Sequence, residues 1–226
     1  MKLIIVGGVA GGASAAARAR RLNESAEILL IERGPDVSFA NCGLPYHIGQ
    51  VIAQREKLLV TTPQRLRERF RLTVRTQTEV LRIDRAAKKV EMIELCTGKT
   101  YEESYDKLIL APGAAPFRPA IPGVDLPNVF TLRNLADTDR IKQAVDRGIT
   151  HAVLVGAGFI GLELAENLIH RGIKTTILDL SKQILAPFDP EMTTPMLQAI
   201  QDRGIEVLLG QTAEAIEAVP GGLQET

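Results

Sequence analysis

The sequence predicts an α/β chain built from two copies of one unit: strand, glycine loop, helix, strand, acid. Three observations predict it. Lys2–Val6 is a continuous apolar run that ends in glycines, as a strand buried on both faces does. The loop Gly7-Gly8-Val9-Ala10-Gly11-Gly12, an alanine-rich helix over 13–23 and the strand Glu27–Ile31 follow, and Glu32 closes the unit twenty residues past Gly12. The same order returns as the strand His151–Val155, the loop Gly156-Ala157-Gly158-Phe159-Ile160-Gly161, a helix over 162–171, a strand over 174–178, and Asp179, eighteen residues past Gly161.

The chemistry of such a unit follows from its parts. Glycines allow a pyrophosphate to approach the backbone N–H groups at a helix N-terminus, and an acid about twenty residues on accepts both ribose hydroxyls. The second copy is a complete G-x-G-x-x-G; in the first, Val9 stands at the middle position. The expected architecture is therefore two Rossmann-like dinucleotide-binding folds, parallel sheets with β-meanders, the second incomplete. The cofactor-binding candidates are Gly7, Gly12 and Glu32 in one fold and Gly156, Gly158, Gly161 and Asp179 in the other. An acid at Asp179 favours a free 2′-hydroxyl, hence NADH over NADPH, because a 2′-phosphate would be repelled; Lys182 nearby tempers that preference.

Composition excludes several classes. Lysine plus arginine equals aspartate plus glutamate at 27 each, so no global field points to nucleic acid or a membrane surface. No apolar run approaches the ~20 residues of a membrane span. Two cysteines do not make a disulfide framework, and a cytoplasmic location is expected. Three histidines without zinc spacing give no metal site.

Between the two units lies the stretch 37–49, VSFANCGLPYHIG. Asn41 is a good N-cap residue and Pro45 suits a first turn, so a helix over 42–51 is expected with Cys42 in its first turn. There the helix dipole and free backbone N–H groups favour a thiolate. His47, about one turn on, is a candidate acid or base. Ser14, Arg18 and Arg21 form one stripe on the first helix, and Arg65, Arg67, Arg69, Arg71 and Arg75 crowd the segment 61–75. Either this is a solvated basic face, or a phosphate-bearing substrate binds near Cys42. Further on, a strand is expected over 71–80 and a meander over 81–110, with a hairpin turn at Thr97-Gly98-Lys99. The buried strand Lys107–Leu110 then runs into Ala111-Pro112-Gly113. Cys96, beside the hairpin turn, is expected to be structural. The proline-rich stretch 114–127 marks a boundary between a first domain, 1–115, holding the redox cysteine, and a second, 116–226. Helices are expected over 135–147 and 190–203 and a strand over 205–209; the tail 220–226 reads as a chain stopped inside a meander.

Two nucleotide folds with a redox cysteine between them resemble the pyridine nucleotide–disulfide oxidoreductases. A single cysteine in SFANCGLPYHIG, after IIVGGVAGGASAAARARRL, with His47 where a second cysteine would fall, is similar to the coenzyme A disulfide reductase and NADH-dependent persulfide reductase branch. Val9 in the first loop is itself a feature of that branch. The resemblance covers the whole chain. It implies FAD in the first fold, around Gly7, Gly12, Glu32 and Arg33 with Val80, Ala111 and Gly113, and the nicotinamide cofactor at Gly156, Gly158, Gly161 and Asp179. It implies Cys42 as the redox nucleophile, and Ser14, Arg18, Arg21, Ser38 and Asn41 as contacts to coenzyme A; Phe70 stands where a relative has a lysine. The implied enzyme reduces coenzyme A disulfide or related per- and disulfides with NADH; the alternatives are an NADH oxidase, or a nucleotide-binding fragment without turnover. The family continues past residue 226 into a dimerisation domain, so a homodimer is expected of the full-length protein, and a chain that ends here is expected to hold FAD weakly.

Overall fold

The computed structural model describes residues 1–219 and 222–225. Along the chain run β1 (Lys2–Val6), α1 (Ala10–Leu22), β2 (Glu27–Ile31), α2 (Leu44–Ile48), α3 (Pro63–Phe70), β3 (Thr73–Arg75), β4 (Thr78–Asp84), β5 (Lys89–Glu94), β6 (Thr100–Ser104), β7 (Lys107–Leu110), α4 (Leu135–Asp146), β8 (His151–Val155), α5 (Phe159–His170), β9 (Lys174–Asp179), α6 (Pro190–Asp202), β10 (Glu206–Leu209), β11 (Ile216–Val219) and β12 (Gly222–Glu225). They form two compact units. One comprises Met1–Ala40 and Glu56–Ala115, the other Asn41–Arg55 and the chain from Pro116 onward.

The first unit is built on a parallel sheet in the order β3-β2-β1-β7. Side chains alternate across a strand, so β1 and β2 feed two cores at once. Leu3, Ile5, Ile28 and Leu30 point to one face and pack with Ala16 of α1 and Leu66 of α3. Ile4, Leu29 and Ile31 point to the other and meet Val90 and Met92 of β5, in the antiparallel meander β4-β5-β6. Each fully buried Ile or Leu here stabilises by roughly 1.5–3 kcal/mol. The alanines of α1 let that helix lie close on the sheet.

Local expectations fared unevenly in this unit. The hairpin turns where expected, with Gly98 at φ +72°. The arginine-rich segment holds a helix that its charge pattern concealed: α3 starts at Thr62, whose Oγ1 accepts from the Arg65 N–H at 3.2 Å, and stops at Arg71, left-handed at φ +49°. The strand expected over 71–80 is two strands, because Gln77 adopts φ +50° between β3 and β4. β7 is only half buried, with Leu110 57% exposed, against the expectation of a buried strand.

The second unit carries the parallel sheet β10-β9-β8 and the hairpin β11-β12; Pro220, Gly221 and Thr226 of the expected tail meander lie outside the described residues. The segment with Cys42, expected within the first domain, packs in this second unit. The reason is apolar: Ile48 of α2 is fully buried among Ile141 and Val145 of α4 and Leu164 and Leu168 of α5. Gly49 follows because a side chain there would collide with Asn167. Arg171 then donates to the Ile48 carbonyl at 3.0 Å, and Arg55 to Asp139 at 2.9 and 3.0 Å.

Candidate functional site: two nucleotide loops, an exposed cysteine and an arginine groove

Both glycine loops adopt one construction. Gly7 and Gly156 have φ of +98° and +114°, conformations that glycine alone adopts readily. Their N–H groups donate to the ends of the neighbouring strands, Ile31 and Leu178, each at 2.8 Å. A Cβ on Gly12 would strike the Gly7 carbonyl, and a Cβ on Gly161 the Gly156 carbonyl. Each helix therefore begins flush against its loop, α1 at Ala10 and α5 at Phe159. Neither has a side-chain cap or a first-turn acid, which leaves the amino-terminal N–H groups to an incoming phosphate.

The acids are held alike. Glu32 accepts from the Gly8 N–H at 2.6 Å and the Gly34 N–H at 2.7 Å. Asp179 accepts from the Ala157 N–H at 2.6 Å and the Ser181 N–H at 2.7 Å. Burial alone would push the Asp179 carboxyl up; the Ala157 and Ser181 N–H groups and the Ser181 hydroxyl outweigh it and hold the carboxyl below its ordinary range. Each carboxylate is thus held at its loop by two backbone N–H groups, the placement that recognition of a ribose diol uses.

The remaining candidates of the first fold gather partly around its loop. Ala111 lies against Gly7 and Gly11 at the end of β7. Arg33 is exposed and pairs with Glu79 at 3.4 Å, next to the half-buried Val80. Gly113 is exposed, with φ +71°.

Cys42 differs from expectation in its setting. It is exposed in a 3₁₀ turn, Asn41–Gly43, ahead of α2, and α2 is only five residues long. Asn41 caps nothing: its Oδ1 is enclosed without a hydrogen-bond partner. So short a helix behind a turn removes the basis of the helix-dipole argument. His47 is buried, with Nδ1 2.7 Å from the Ile52 carbonyl, a structural role. Cys96 is exposed rather than packed.

A groove of about 420 Å³ opens in the first unit between α1 and α3. Ala13, Ser14 and Ala17 form one wall, Arg65 and Arg69 the other, and Ser38 also lines it. Ser14 and Ser38 are thus brought together, whereas the exposed Arg18 and Arg21 are not among the lining residues and Asn41 belongs to the other unit. Arg65 and Arg69 come from the arginine-rich segment 61–75 that the sequence singles out; what the sequence reading missed is the helix that carries them, and their i, i+4 spacing is the signal that could have found it.

Comparisons with known proteins agree with this fold. The chain is 41% identical over 216 residues to the coenzyme A disulfide reductase of Staphylococcus aureus, covering 95% of this chain and 49% of that protein, so it spans about half the length of the curated relatives it matches. Among solved structures, reduced CoADR-RHD of Bacillus anthracis superposes with a TM-score of 0.93 at 44% identity, over 99% of this chain and 42% of that one. The water-forming NADH oxidase of Lactobacillus brevis bound to NADH superposes with a TM-score of 0.95 at 30% identity, over 100% and 50%. The family model described as pyridine nucleotide-disulphide oxidoreductase matches residues 1–225, and the chain belongs to that family.

Proposed function

We propose that this chain is the nucleotide-binding portion of an FAD-dependent enzyme that reduces coenzyme A disulfide, or a related per- or disulfide, with NADH through Cys42. The observation that carries the reading is the duplicated carboxylate-and-glycine loop. A polypeptide that cradles two dinucleotides has the parts to pass a hydride's electrons from one to the other. Gly7, Gly12 and Glu32, with Arg33, Val80, Ala111 and Gly113, would hold FAD; Gly156, Gly158, Gly161 and Asp179 would hold NADH.

Each residue then has a task. The ionised Asp179 accepts ribose hydroxyls and repels a 2′-phosphate, which favours NADH. Cys42 Sγ, as thiolate, attacks one sulfur of the substrate disulfide; that S–S bond breaks, one thiolate leaves, and a mixed disulfide remains on Cys42. FAD, when bound, supplies the two electrons drawn from NADH that return Cys42 to its reduced state and free the second thiol. The groove walls, Ser14 and Ser38 with Arg65 and Arg69, suit the phosphates of a coenzyme A-linked substrate. Arg18 and Arg21, on the stripe continuing from Ser14, are further anchors, and Asn41 flanks the cysteine. The likeness to an NADH oxidase favours a second reading, in which Cys42 cycles through sulfenic acid while oxygen is reduced.

Cysteine replacement in the full-length polypeptide tests the proposal. Cys42→Ser should lower NADH-dependent disulfide reduction at least a thousandfold, and Cys96→Ser should leave it within twofold. Equal losses from both would sink the assignment. Oxygen consumption outpacing disulfide reduction at saturating substrate would establish the second reading instead.

A further inference from the structure

Arg20 has no part in either nucleotide loop and does not line the groove, yet it is the most enclosed arginine of α1, 8% exposed. It continues the face of that helix that carries Ala13 and Ala17, the groove wall, one turn on. Its guanidinium donates to five backbone carbonyls. Nε reaches Phe70 at 2.7 Å, Nη2 reaches Arg71 at 2.9 Å, and Nη1 reaches Glu24 and Ala26 at 2.7 Å and Asn23 at 3.3 Å.

Those acceptors fall into two groups. The carbonyls of Phe70 and Arg71 are orphans at the end of α3, and those of Asn23, Glu24 and Ala26 lie in the chain just past α1. One side chain therefore ties the end of α1 to the end of α3, and these helices are the two walls of the groove. The planar five-donor fork of arginine suits the task; a lysine ammonium is a single point with three donors.

We infer that Arg20 is the positioning residue of the groove: it sets the spacing of the walls, so that Ser14 on one and Arg65 and Arg69 on the other converge on one phosphate-bearing ligand. The inference rests on the reading of the groove as a phosphate site. A brace of the fold alone is the competing role. The two differ in what they move, since a general brace has no preference among ligands.

The experiment titrates two probes, adenosine 3′,5′-bisphosphate and NADH, into this chain by calorimetry. Wild type, Arg20→Lys and Arg20→Met are compared at a temperature where circular dichroism shows each fully folded. Wild type should bind the bisphosphate, Arg20→Lys at least tenfold more weakly and Arg20→Met more weakly still, with NADH affinity within twofold throughout. Bisphosphate affinity within twofold in both variants overturns the inference and leaves the groove reading standing. Parallel loss of NADH affinity assigns Arg20 to the fold as a whole and also overturns it. Failure of the wild type to bind the bisphosphate overturns groove reading and inference together. If neither variant folds, amide exchange in the wild type decides. The bisphosphate must slow exchange at the ends of α1 and α3 and not in α5; uniform or absent slowing overturns the inference.

Discussion

The two glycine loops of this chain are alike in backbone and unlike in surroundings. In both, the first glycine takes a positive φ, the last is packed beneath the first's carbonyl, and the acid accepts two N–H groups at 2.6 and 2.7 Å. What surrounds them differs. β1 has a strand on each side, β2 and β7, and Ile4 and Ile5 are fully buried. β8 is paired with β9 alone among the described residues, and Val155 is 62% exposed. A Cβ on Gly7 would strike the Ala111 carbonyl, whereas one on Gly156 would meet open space. The motif spacing dictates how a loop holds its acid; neighbouring strands dictate how tightly the loop is enclosed.

That contrast can be broken most directly at the last glycine of each loop. Gly12→Ala must displace the Gly7 backbone, itself backed by Ala111, and also crowds Ile5; it should cost about 3 kcal/mol. Gly161→Ala meets only the Gly156 carbonyl, and that loop has room to shift, so about 1 kcal/mol is expected. Urea midpoints of the two variants give the order, and a reversed order would show that enclosure does not govern the loops.

The acids sharpen the comparison in a second way. If the second loop takes the nicotinamide cofactor, NADH should bind in preference to NADPH by about ten- to hundredfold, on the order of 1–3 kcal/mol for the clash with a 2′-phosphate. Asp179→Asn should narrow the ratio severalfold, and Glu32→Gln should leave it unchanged. A ratio that responds to Glu32 and ignores Asp179 would exchange the roles of the loops.

The smallest effects are electrostatic and follow from carboxylates depressed in each unit. Glu103 lies between Lys2 at 2.6 Å and Arg75 at 2.8 Å. The Lys2 hydrogen bond foremost holds its carboxyl below the ordinary value, burial opposing and Arg75 assisting, while Glu103 raises Lys2 in return. A carboxyl whose folded pKa is depressed contributes stability that is present above its unfolded pKa and is lost as pH falls through the folded one. Glu103→Gln should therefore cost about 1 kcal/mol at pH 7 and progressively less towards pH 2. Asp179→Asn should flatten the same pH window for the second unit. Stability curves from pH 7 to pH 2 that run parallel for variant and wild type would contradict both.

The sequence by itself determined the elements that repeat. A glycine at a fixed distance from a strand end and an acid at a fixed distance from the glycine are local geometry, and both loops formed as their spacing required. Short continuous apolar runs likewise determined β1, β2, β8 and β9, because burial within a sheet needs no knowledge of the partner. Tertiary structure alone decided where Cys42 resides. Asn41 and Pro45 argued for a capped helix, but the fit of Ile48 among Ile141, Leu164 and Leu168 fixed the segment instead, and those residues lie about a hundred positions away. It also decided the part played by Arg20. In sequence that residue is one arginine beside Arg18 and Arg21; only the approach of α3 gives it the carbonyls of Phe70 and Arg71. Contacts of this kind depend on which surfaces meet after the chain has folded, and no residue pattern within one segment encodes them.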